Sequence, residues 1–156
     1  MKIFNSNRTG HLTAAFALGS VLLVTGITIR APHIAVAAVT VPVWELWGTC
    51  DNDIDTRSPR NGPWYRRFWV RWWKNYALRT PHRSRLSHSI IPGTFLRLGV
   101  GCWPILWVML LYSVMVDGGA FHLMSWSVAV LCGCITADTL HMLKDGFKVG
   151  EIVFGK

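Results

Sequence analysis

Acidic residues are scarce in this chain: eight Asp and Glu stand against sixteen Lys and Arg in 156 residues. Charged residues make up only 15% of it, against roughly 25% in soluble globular domains. That scarcity argues against an ordinary soluble domain with a charged coat. Cysteine is sparse too. Cys50, Cys102, Cys132 and Cys134 form no C-x-x-C pair, and three of the four lie in apolar runs. A thiol there behaves as a small hydrophobe, so neither a disulfide framework nor a thiolate zinc site is expected.

What is abundant is apolar surface. Hydrophobic residues make up 51% of the chain, with nine Trp, and the mean hydropathy is +0.32. The length suits a single domain over residues 1–156. Leu12–Ile29 carries no charge and is long enough to cross a bilayer as a helix. Arg30, Pro32 and His33 end it, and Arg30-Ala31 before Pro32 reads as a turn. A basic start followed by an apolar stretch and Ala35-Val36-Ala37 also fits a cleaved leader. The length of the stretch and the intervening Arg30 weigh against that. Ile34–Gly48 is a shorter apolar segment that either crosses or re-enters. Pro42 would kink it, Glu45 sits near its end, and Trp44 and Trp47 suit an interface. Leu98–Val116 is a third apolar run, opened by Pro92 and Gly93, with Arg97 placed to snorkel to the interface and Pro104 within it. Ser125–Ala137 is a fourth, its period running on through Leu143 to a stop at Gly146. The expected fold is all-α: an integral membrane bundle of about four apolar helices.

Between the second and third runs lies a basic aromatic segment, residues 64–80. Trp64–Tyr76 is helical in period, with Tyr65, Phe68, Trp69, Trp72, Trp73 and Tyr76 on one face and Arg66, Arg67, Arg71 and Lys74 on the other. Such a helix lies in the headgroup layer, rings inward and cations toward lipid phosphates. Interleaved rings and cations also suit single-stranded nucleic acid. Beside membrane-length segments, lipid is the favoured partner.

Candidate ligands fall in four places. His11 precedes the first apolar run, and Asp51, Asp53 and Asp55 follow the second. His82 and His88 precede the third, and His141 and Asp145 close the fourth. Offsets of three and seven put Asp138, His141 and Asp145 on one helical face. His141 and Asp145 can grip one ion from adjacent turns. The Lys/Arg bias places the central loop in the cytoplasm. Four crossings then bring all these residues to the cytoplasmic ends of the bundle. His33, His122 and Asp117 fall at the outer ends. His and Asp without Cys suit catalytic zinc, and a set of this size can hold one to three divalent ions. Such ions acidify a bound water and neutralise an ester oxyanion. Arg83 and Arg85 are placed to bind a phosphate, and Asp51 or Asp138 to take a proton.

The order GHL (Gly10–Leu12), DNDID (Asp51–Asp55), HRSRLSHS (His82–Ser89) and HMLKDGFKVG (His141–Gly150) resembles the inner-membrane-bound, LexA-associated metal-dependent hydrolases. It is equally similar to a related cyanobacterial and bacterial family of metal-binding membrane proteins, down to the HRS-x-LSH spacing and Arg97. The resemblance covers nearly the whole chain. It implies a helical hydrolase of a bacterial inner membrane, akin to zinc-dependent phospholipase C, with zinc held by His11, Asp53, Asp55, His82, His88, His141 and Asp145. Two features depart from the pattern. Asn52 stands where a Pro commonly precedes the first matched Asp, and the amino-terminal ligand of the phospholipase has no counterpart. The function expected is hydrolysis of phosphoesters such as lipid headgroups. The alternatives are a metal-binding membrane protein without catalysis and a membrane-tethered nucleic-acid binder.

Overall fold

A computed structural model describes residues 8–47, 64–81, 84, 86–101, 111, 115 and 120–154. All secondary structure among them is helical. α1 is Arg8–Thr28, α2 Pro32–Trp47 and α3 Trp64–Arg79. A π-helical turn, Ile90–Thr94, leads into α4, Phe95–Gly101. α5 is Ala120–Lys144 and α6 Val149–Phe154.

α1 and α2 form an antiparallel hairpin. Its turn is a paired C-terminal cap: Ala31 N donates to Gly26 O at 2.8 Å and Arg30 N to Ile27 O at 3.1 Å. That pattern requires the left-handed conformation at Arg30, which has φ 54°. Pro32 then opens α2, where its missing N–H costs nothing. The expected turn at Arg30-Ala31 is therefore present, and α2 runs continuously through Pro42.

α5 lies along α2 in the same direction. His33 Nε2 is 3.2 Å from Ser125 Oγ at one end, and His141 Nδ1 is 2.9 Å from Glu45 Oε1 at the other. Glycines set the spacing. A Cβ on Gly133 would come within 2.5 Å of Thr40 Cβ and 2.7 Å of Ala37 O. One on Gly19 would meet Ala38 O at 2.8 Å, and one on Gly26 would meet Ala35 N at 2.8 Å. Small residues let backbones approach closely, the main source of attraction between helices where apolar burial contributes little. Ala15, Val41, Trp44, Cys134 and Ala137 form the core between the three helices, with Leu98 of α4 packed against it.

Two helices are long and apolar enough to cross a membrane, Gly10–Thr28 and Ser125–Lys144. Only 22% and 39% of these windows are buried in the molecule, unlike the core helix of a soluble protein. Exposed residues along the bundle are large and apolar, among them Phe16, Val21, Val24, Ile27, Val39 and Val128. The hydroxyls of Thr25, Thr28, Thr40, Thr136 and Thr139 each donate to the carbonyl one turn back, at 2.7–2.9 Å. A helix that satisfies its own hydroxyls can face an apolar medium. At 16 residues α2 is about 24 Å long, short of the roughly 30 Å hydrocarbon core. The third expected crossing, 98–116, lies mostly outside the described residues.

α3 forms where the aromatic period places it, but its ring face is divided. Trp73 and Tyr76 are buried, and Trp73 fills the space where a Cβ on Gly101 would stand. Phe68 stays exposed beside Trp72, and both pack near Trp47 at the end of α2, with ring centroids 6.5 and 6.3 Å away. Arg71, Lys74 and Arg79 are exposed. α3 is thus partly a packing element and adjoins the end of the bundle where Glu45 and His141 lie.

Candidate metal centre

His11 sits in the first turn of α1 and is buried, with 4% of its surface accessible. Its ring stacks on that of His141, with centroids 4.1 Å apart and planes 24° apart. Lys144 Nζ donates to Gly10 O, which ties the start of α1 to the end of α5. The α5 end is itself fixed. Gly146, at φ 83°, donates to Leu143 O at 3.1 Å, and Phe147 N to Met142 O at 3.0 Å. Phe147 also packs against Met142 and Ile152. This cap turns the chain sharply after Asp145, as expected from Gly146.

Asp145 bridges the two histidines. Its Oδ1 lies 3.2 Å from His11 Nε2 and its Oδ2 lies 3.5 Å from His141 Nε2. One ligand atom from each of His11, His141 and Asp145 falls within a common 4.8 Å. That spacing can hold a metal ion. The donors are two imidazoles and one carboxylate.

One turn before His141, Asp138 belongs to a different cluster. Its Oδ2 accepts from Arg97 Nη2 at 2.6 Å and from Thr94 Oγ1 at 2.5 Å, and both ion-pair partners have 0% exposure. Arg97 also donates to Ser87 O. Arg97 therefore does not snorkel, because a buried carboxylate and carbonyl hold it inside. Ser89 caps the π-helical turn, its Oγ accepting from Gly93 N at 3.2 Å. His88 lies in the same region with 1% exposure, its Nδ1 2.9 Å from Ser87 Oγ and its ring stacked on Phe147 at 5.2 Å. Ser87 Oγ donates to Pro81 O.

Of the residues expected to bind metal, the structure brings together His11, His141 and Asp145 and places His88 in the neighbouring buried cluster. Asp51, Asp53, Asp55, His82, Arg83 and Arg85 lie outside the described residues. Glu45 joins the site unannounced. Its signal in the sequence was a lone carboxylate in an apolar segment, which marks a functional residue by default. No family model, curated protein or solved structure matches this chain.

Proposed function

We propose that the protein is a membrane-embedded, metal-dependent hydrolase whose ion, zinc by its donor set, is held by His11, His141 and Asp145. The observation that carries this reading is the meeting of three ligand atoms within 4.8 Å from opposite ends of the chain. They meet at the end of a bundle whose α1 and α5 are long and apolar enough to cross a membrane.

An ion held there supplies Lewis acidity toward an ester oxygen and acidifies a bound water. The protein's part is to fix the ligands. Lys144 holds α1 against α5 through Gly10, and the cap at Gly146 sets the exit from α5 beside Asp145. Asp138 is engaged with Arg97 and Thr94, so in this reading the proton acceptor is Asp51. Asp53, Asp55, His82 and His88 are ligands for further ions, and Arg83 and Arg85 hold the phosphate. Lipid headgroups are the proposed substrate because α3 adjoins this end of the bundle with exposed Arg71, Lys74 and Arg79. Such cations attract anionic phosphates.

Elemental analysis of detergent-purified protein tests the site. Wild type should carry stoichiometric divalent metal, and His141→Ala should lose it. Metal unchanged by that substitution overturns the assignment. Release of phosphorylated headgroup from mixed micelles, abolished in Asp145→Ala, tests the chemistry. Stoichiometric metal without turnover on any phosphoester would leave a non-catalytic metal-binding protein.

A further inference from the structure

Glu45 is a buried carboxylate on an apolar helix, where a charge is costly. Its side chain is 5% exposed and that of His141 3%, with Oε1 and Nδ1 2.9 Å apart. The contact joins α2 to α5 across 96 residues of sequence. A carboxylate oxygen only accepts hydrogen bonds, so Nδ1 carries the hydrogen. In a neutral imidazole the lone pair then resides on Nε2, the nitrogen that faces Asp145 Oδ2 at 3.5 Å. A lone pair and a carboxylate oxygen are both acceptors, and a cation between them satisfies both.

We propose that Glu45 is the positioning residue of this centre: by accepting from Nδ1–H it fixes the tautomer and ring angle of His141, so that Nε2 is presented to the ion. The inference rests on the metal reading above. Metal-binding histidines commonly send their second N–H to such an acceptor, and removing it costs about 10–100-fold in metal affinity. Glu45 touches His141 rather than the ion, so its effect is on affinity and geometry.

Two measurements on the full-length protein in detergent test it. The first is the ¹⁵N spectrum of metal-free wild type at neutral pH, with His141 assigned by difference from His141→Ala. The expected result is the Nδ1–H tautomer. An Nε2–H tautomer, or an imidazolium shared between Glu45 and Asp145, overturns the proposal whatever any variant does. The second is Zn²⁺ titration of wild type, Glu45→Gln and Glu45→Ala. The Ala variant should bind about 10–100-fold more weakly, and the Gln variant, whose amide oxygen still accepts from Nδ1–H, should recover most of the loss. A role confined to holding α2 against α5 would lower the melting temperature of the metal-free Ala variant and leave Zn²⁺ affinity unchanged, which overturns this inference alone. Wild type that binds no Zn²⁺ overturns the metal reading and this one with it. If Glu45→Ala does not fold, the tautomer in wild type decides.

Discussion

Two acids on apolar helices, Glu45 and Asp138, are both paired, but with opposite consequences. Glu45 meets a histidine that faces a third group, whereas Asp138 meets a guanidinium inside the protein. A fully buried ion pair adds little over well-packed apolar side chains, yet removing one partner leaves a bare charge and costs about 3–5 kcal/mol. Arg97→Met and Asp138→Leu should therefore each lower the melting temperature strongly in detergent. The double variant should be more stable than either single one. A double variant at least as unstable as the worse single would show that the pair does more than neutralise itself. At this scale the sequence was legible where a candidate ligand sits at the end of an apolar run: His11, His141 and Asp145 come together as their positions suggested. It was illegible where the meaning of a residue is its partner. Helical offsets put Asp138 on the same face as His141, but nothing local announces Arg97, 41 residues away, or the Glu45–His141 contact.

Helix ends were legible because their chemistry is local: Gly146 and the Arg30–Pro32 turn both stand where the sequence put them. The interiors were less so. Pro42 reads as a kink, and α2 runs through it without interruption, with Gly19 of α1 leaving room: a Cβ there would lie 3.0 Å from the Pro42 ring. Proline is tolerated when a neighbouring helix accommodates it. Glycine gives a clean contrast at this scale. In Gly133→Ala the new methyl would meet Thr40 and Ala37 O, and overpacking of this kind costs about 1–3 kcal/mol. Among the described residues nothing lies within 4 Å of a Cβ built on Gly99 of α4, so Gly99→Ala should gain about 0.5–1 kcal/mol from helix propensity. Thermal unfolding of the two variants should move in opposite directions. Gly133→Ala should also weaken Zn²⁺ binding, because it pushes α5 away from the helix that carries Glu45. Equal melting temperatures would mean that α2 and α5 do not approach this closely.

For the whole molecule, the parallel run of α2 and α5 is the informative feature. Parallel neighbours in one bundle require the chain to travel back between them, from Trp47 at the His141 end to Ser125 at the other. The start of α1 and the ends of α2 and α5 lie at one end, where His11 stacks on His141 and Glu45 meets it. The described cations are distributed unevenly. Lys144 and Lys148 stand at the end that holds the candidate metal site, with α3 and its exposed Arg71, Lys74 and Arg79 beside it, while Arg30 marks the opposite turn. Positive charge is retained on the cytoplasmic side, so the metal end should face inward. Arg30→Cys and Lys148→Cys in a cysteine-free background test this, since both positions are exposed. Residue 30 already holds a non-glycine at φ 54°, so cysteine adds little strain there. A membrane-impermeant maleimide should label position 30 in right-side-out vesicles and position 148 only in inverted ones. The reverse pattern would put the metal centre outside. Labelling of both positions from one side would mean that α1, α2 and α5 do not carry the chain across the bilayer, and the lipid-headgroup substrate would lose its basis.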